Sequence, residues 1–146
     1  LDLSLLTGFG GEEDFVTPLL ERFEARRPDA AEFALVNRVL LLKSPAGIGL
    51  DVALAALPFE GHVIERAVDV EYAKDTMIRI CSPEDLIVHK AFANRIIDWH
   101  DIEGILVRQQ GKLNNTQILN ELTPLIELKE EPEILNHLGK LLAKYS

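Results

Sequence analysis

Over the first six residues apolar and polar side chains alternate, with Leu1, Leu3 and Leu5 on one side and Asp2 and Ser4 on the other. That period of two predicts a half-buried strand whose polar side carries a carboxylate. After the turn at Gly8, Gly10 and Gly11, Phe15, Leu19, Leu20 and Phe23 recur at helical spacing. They predict an amphipathic helix over 12–26, closed by Arg26, Arg27 and Pro28. Two apolar runs, 34–43 and 48–57, flank Ser44-Pro45-Ala46-Gly47 and read as strand, turn and strand, most simply a hairpin. A helical turn after Pro58 and two short strands, 68–72 and 77–80, complete this half.

Beyond Ser82 the period changes. Ser82, Pro83 at a first helical position and Asp85 three residues after the serine form a helix start resembling a capping box, and the helix runs to about Asn94. A second begins near Asp98 and runs to about Gln110, with Ile102, Ile105 and Leu106 as its buried stripe; 115–129 and 133–144 give two more. The expected class is α+β, a small mixed sheet with flanking helices followed by a helical C-terminal half. The change of period divides it into a sheet core over 1–81 and a helical region over 82–146.

Composition narrows the function classes. With 146 residues the chain has room for one domain, or a small core with a helical extension. The formal charge of −9, concentrated in the first half, leaves no basic stripe to track a nucleic-acid backbone. No apolar stretch reaches the roughly 18 residues of a membrane helix. Cys81 is the single cysteine, so an internal disulfide is excluded and a reducing cytoplasm is the expected location. Leu1 already lies within an alternating run, so the upstream part of that strand is expected to precede it.

Asp51 is the most informative position. It lies in the apolar run Ile48-Gly49-Leu50-Asp51-Val52-Ala53-Leu54-Ala55-Ala56, where an ionised carboxylate is costly unless a cation or several donors meet it. In a strand it shares a face with Gly49, Ala53 and Ala55, and those small side chains leave room for an approaching group. The alternative is an aspartate on a solvent-facing side. Asp2 and Ser4 repeat the pattern on another strand, and two carboxylates on neighbouring strands can hold a divalent ion.

In the helical half, Lys90 shares a face with Leu86, Ile87 and Asn94; it points into a cleft or lays its stem along an apolar stripe. Asp98 and Asp101 are candidates either for chemistry or for the cap of their helix. Arg95 reads as the partner of one of them, and Trp99 as packing. His62, His89, His100 and His137 lack zinc-ligand spacing with Cys81. There is no nucleophile elbow, Walker loop or dinucleotide-binding glycine motif.

Several of these segments together carry a family resemblance. Leu1-Asp2-Leu3-Ser4-Leu5 resembles the end of the Asp-x-Asp strand of nucleotidyltransferase-fold proteins, and Leu50-Asp51-Val52 the strand bearing their third carboxylate. Ser82-Pro83-Glu84-Asp85-Leu86-Ile87-Val88-His89-Lys90-Ala91 and Arg95-Ile96-Ile97-Asp98-Trp99-His100-Asp101-Ile102 resemble the Glu-x-x-x-x-Lys and Arg-x-x-Asp-x-x-Asp helices of the AbiEii-type nucleotidyltransferase-like toxins. That family belongs to bacterial abortive-infection and toxin–antitoxin systems. The similarity spans about residues 1–110, in order and spacing, and the remaining helices are generic.

The resemblance implies an enzyme that transfers a nucleoside monophosphate from a nucleoside triphosphate (NTP) to an acceptor, using Mg²⁺ or Mn²⁺. Asp2 and Asp51 would be metal ligands, and Ser4 and Lys90 nucleotide-binding groups. Lys90 would neutralise phosphate charge, while Asp98 or Asp101 would orient the acceptor. The first carboxylate and a Gly-Ser phosphate turn are expected just before Leu1. RNA, a protein side chain or a small molecule are the candidate acceptors, and an antitoxin a candidate partner. The rival expectation is a non-catalytic interaction protein of the same fold, its carboxylates lining a groove that a partner covers.

Overall fold

The alternating segment at the start of the chain forms strand β1 (Asp2–Leu6), but only Leu5 on its apolar side packs against the core. Leu1 and Leu3 stay exposed because β1 is an edge strand, with a neighbour on one side only. The computed structural model describes residues 1–145, which fall into two compact units, one of Leu1–Glu65 and one from Arg66 onward.

In the first unit the chain continues through α1 (Glu13–Arg22), β2 (Glu24–Ala25), α2 (Ala30–Asn37), β3 (Val39–Lys43), β4 (Gly49–Ala55) and α3 (Pro58–Arg66). The sheet order is β1-β4-β3-β2, with β1 parallel to β4 and the other pairs antiparallel. Leu40 and Leu42 of β3 and Leu50, Val52 and Leu54 of β4 face one way, onto Val16 of α1 and Ala30 and Ala34 of α2. Burial of each large side chain there contributes about 1.5–3 kcal/mol. The opposite side of the sheet carries Asp2 and Ser4 of β1, Leu41 of β3 and Gly49, Asp51 and Ala53 of β4, so the alternation of β4 is as its sequence predicts.

Two expectations in this unit fail. The run 34–43 is not one strand: its first part belongs to α2, and the strand begins only at Val39. Ala30-Ala31-Glu32-Phe33-Ala34-Leu35-Val36-Asn37 is apolar around nearly its whole circumference, so it shows no helical stripe to distinguish it from a buried strand. The helix expected over 12–26 stops at Arg22, and Glu24–Ala25 turns into a short strand against β3.

Arg38 makes the break after α2. Its backbone is left-handed, with φ +54°, and its Nη2 donates to the carbonyls of Gly8 (3.0 Å) and Leu54 (2.5 Å) while Nη1 meets Glu12 (2.5 Å). This side chain fastens the glycine turn that joins β1 to α1 onto the end of β4. The Arg38 hydrogen bond holds the Glu12 carboxyl below the usual range. At α3, Glu60 Oε2 accepts from the amides of Ala56 and Leu57 (both 2.8 Å) and caps the helix start.

The second unit comprises β5 (Val68–Ala73), β6 (Thr76–Ile80), α4 (Pro83–Ala93), α5 (Ile96–Gln109), α6 (Asn115–Lys129) and α7 (Glu133–Tyr145). β5 and β6 form an antiparallel hairpin whose residues are all exposed. The change of period at Ser82-Pro83 falls between β6 and α4. Ser82 caps α4 as its sequence predicts, accepting from the Asp85 amide (3.1 Å) and donating to Asp85 Oδ2 (2.8 Å). Asn94, Gln110 and Glu130 end α4, α5 and α6 in left-handed conformations, and each amide returns to the carbonyl four residues back. Ile87, Val88, Ile102, Ile118, Leu122, Ile126, Ile134 and Leu138 are fully or almost fully buried within this helical half. The protein is therefore α+β, with its four-stranded sheet and three flanking helices first and, in the described residues, four consecutive helices after Ser82. Among the described residues no helix is long and apolar enough to cross a membrane.

Candidate functional site

The parallel pairing of β1 with β4 sets Asp2 opposite Asp51 and Ser4 opposite Ala53. Paired residues on adjacent strands share a face and lie about 4.8 Å apart at the backbone, so both carboxylates stand on the side away from the core. Asp51 is also opposite Leu41 of β3. The Arg26 amide donates to the Leu41 carbonyl (3.0 Å), which places Arg26, immediately after β2, in the same transverse row. Arg26, Leu41, Asp51 and Asp2 thus cross the sheet in one line.

Within that line the Arg26 guanidinium reaches over Leu41 and pairs through Nη2 with Asp51 Oδ1. Gly49 gives it room. A Cβ at position 49 would lie 3.2 Å from Arg26 Nη1, close enough that the guanidinium would have to shift by a few tenths of an ångström. The small-residue face of β4 does leave room for a group to approach Asp51, and in this structure that group is Arg26. Both partners are partly exposed, at 36% and 44% of their side-chain surface. Nothing in the sequence marked Arg26 for this role; it reads there as the end of a helix, because the two residues of β2 are too few to show a period.

The helical unit holds a second constellation. Lys90 Nζ donates to Asp101 Oδ2 (2.7 Å) and Asp98 Oδ1 (3.4 Å), while Arg95 donates from Nε to Asp98 Oδ2 (2.6 Å) and from Nη2 to Asp98 Oδ1 (3.1 Å). Asp98 is 1% exposed and both of its oxygens are engaged. The Arg95 hydrogen bond holds its carboxyl below the ordinary range against the opposing effect of burial. Burial disfavours the Lys90 ammonium, but its hydrogen bond to Asp101 and the two carboxylate charges raise it above its usual value.

Capping does not explain these aspartates. α5 starts at Ile96 with Arg95 at its N-cap, so Asp98 lies inside the first turn and Asp101 beyond it. Arg95 is the partner of Asp98, as the spacing predicts, and Trp99 stacks on His137 with ring centroids 4.1 Å apart.

A third ion cluster has no signature in the sequence. Asp85, fully buried, accepts from Arg66 Nη2 (2.6 Å) and Nε (3.2 Å), and Arg66 Nη1 also meets Glu121 (2.7 Å). Asp85 looks like a capping residue from its spacing and is one, but the same carboxylate also anchors the arginine that opens this unit. These contacts hold Arg66 in its charged form, first through the Asp85 hydrogen bond.

The predicted site residues are therefore gathered as two sets, Asp2, Ser4 and Asp51 in the sheet unit and Lys90, Asp98 and Asp101 in the helical unit. Among the described residues no group of three or more His, Cys, Asp or Glu side chains is placed to hold a metal ion. Asp2 and Asp51 do suit Mg²⁺ or Mn²⁺ in kind, since Mg²⁺ is commonly held by one or two carboxylates with water and substrate phosphates completing the shell. No protein-family model matches the chain, and no match to a curated protein was found.

Proposed function

We propose that the chain is a nucleotidyltransferase-type domain that binds an NTP on the outer face of its first sheet and transfers the nucleoside monophosphate to an acceptor. The observation that carries this reading is the register of Asp2 against Asp51 on parallel strands, two carboxylates on one open face. Asp2 and Asp51 would hold Mg²⁺ or Mn²⁺, which when bound neutralises phosphate charge and stabilises the attacking and leaving oxygens of a displacement. Ser4, one step along β1 on the same face, offers a hydroxyl to a phosphate oxygen. Half-exposed Asp51 accepts a second partner at little cost, because an exposed ion pair contributes little to stability.

With Arg95, Lys90, Asp98 and Asp101 form a charge-matched ion cluster, and the reading gives them no step at the sheet face. Asp98, with no free oxygen, is a positioning residue for Lys90 and Arg95; Asp101 is the more open of the two carboxylates. The acidic chain suits a compact acceptor or a tRNA end held locally over a long nucleic-acid track. A cytoplasmic toxin of a toxin–antitoxin pair is the setting that the sequence resemblance supports.

One observation favours a non-catalytic alternative: Asp51 already has a cation in Arg26, which would leave the face as a charged groove for a protein partner such as an antitoxin. The two readings separate on label transfer. Full-length protein incubated with labelled nucleoside triphosphates, Mg²⁺ or Mn²⁺, and total RNA or lysate should pass label to an acceptor, and Asp51→Asn should abolish it. Transfer that survives the substitution removes the catalytic assignment.

A further inference from the structure

Arg26 is the one cation in the transverse row, and because its pair with Asp51 is exposed the guanidinium is exchangeable. Its guanidinium reaches Asp51 across the row, with Nη1 3.2 Å from where a Cβ at Gly49 would stand, and its side chain keeps 36% of its surface in solvent. Lys43 on the same side of the sheet is paired elsewhere, with Glu24 at 3.4 Å. Once a divalent ion sits between Asp2 and Asp51, Asp51 no longer needs a guanidinium, and Arg26 is left with a full charge and five N–H donors on a face that carries a polyanion. Arginine matches phosphate oxygens through two parallel hydrogen bonds, a geometry that lysine cannot reproduce.

We infer that Arg26 is a phosphate-binding residue that Asp51 holds in place until metal arrives, an assignment that rests on the reading of the Asp2–Asp51 face as a cation and triphosphate site. Arg26 and the divalent ion compete for one carboxylate, whereas Arg26 and the triphosphate cooperate. Removal of the guanidinium therefore moves two affinities in opposite directions. A residue that only stabilised the sheet would move both the same way or neither.

The test is titration calorimetry on the full-length protein with Mn²⁺ alone, and then with a non-hydrolysable nucleoside triphosphate analogue at saturating Mn²⁺. Arg26→Gln should bind Mn²⁺ about two- to fivefold more tightly than the parent, because an exposed competitor has gone. It should bind the triphosphate about tenfold or more weakly, because a charge-assisted forked contact has been lost. Arg26→Lys, which keeps the charge and loses the fork, should fall between the two on the triphosphate. Circular dichroism of each variant checks that the sheet is intact.

Unchanged or weaker Mn²⁺ binding in Arg26→Gln, or unchanged triphosphate binding, overturns the assignment of Arg26. Asp51→Asn shows which idea has failed. If the parent binds Mn²⁺ and Asp51→Asn does not, the cation site stands and only the role of Arg26 is lost. If neither protein binds Mn²⁺, the site and the role of Arg26 are both refuted.

Discussion

Asp51 and Asp98 are both aspartates set among apolar residues, yet the two halves of the molecule treat them differently. Asp98 is sealed, with Arg95 and Lys90 occupying both oxygens, and Asp85 in the same unit is sealed by Arg66 and Ser82. Asp51 keeps 44% of its side chain in solvent and has one arginine as its counter-ion. A sealed charge is fully committed: the cost of removing it from water is met only by its fixed partners, and losing one of them leaves the other stranded. An open charge is exchangeable. The contrast separates carboxylates that hold the fold from carboxylates that can serve a ligand, without recourse to conservation.

The largest expected effect tests the sealed side. Asp85→Ala strips Arg66 of its bidentate partner, empties a fully buried position and removes the carboxylate bonded to the Ser82 hydroxyl. Breaking a buried pair by deleting one partner costs about 3–5 kcal/mol. Since the Arg66 side chain is 31% exposed, the lower end applies. Chemical denaturation of the parent and variant should show that loss as an earlier midpoint, and a shift below about 1 kcal/mol would mean that sealing does not distinguish the two classes.

A smaller effect follows from the lowered pKa of Asp98. The native carboxyl holds its proton less tightly than the unfolded one, so the stability it contributes is complete above the ordinary carboxylate range. It drains away as pH falls through that range to the lower native value. Asp98→Asn should therefore be less stable than the parent at neutral pH, with the gap closing as the pH drops below about 4. Denaturation midpoints of the two proteins between pH 7 and pH 3 measure it. A gap of constant size would show that Asp98 acts through packing rather than charge.

The same contrast explains what the sequence reveals. The start of α4 was legible because a serine cap, a helical proline and an apolar stripe agree, and α6 and α7 follow from the spacing of leucine and isoleucine alone. The outward face of β4 was legible because large and small residues alternate there. α2 was hidden, since a helix apolar on nearly every side has no period to detect. Asp51 could be singled out as a charge in an apolar strand, but its partner could not: Arg26 is 25 positions away and is brought close by the β2–β3 register. The sealing of Asp98 and Asp85 is legible only in part: Arg95 and Ser82 follow from local spacing, whereas Lys90 and Arg66 are brought in by other elements.

The smallest expected effect is the most demanding of the comparison. Asp51→Asn removes a charge from an exposed pair while keeping the side chain's shape, and exposed ion pairs contribute roughly 0–1 kcal/mol. The sheet itself does not depend on it, since the core side of β4 is made by Leu50, Val52 and Leu54. Stability by denaturation should therefore change by less than about 1 kcal/mol, with unaltered circular dichroism, in the same variant that loses divalent binding. A loss of 3 kcal/mol or more would place Asp51 with Asp85 and Asp98 as a carboxylate the fold needs. The open face of the sheet would then be a structural surface with only Asp2 left for a cation.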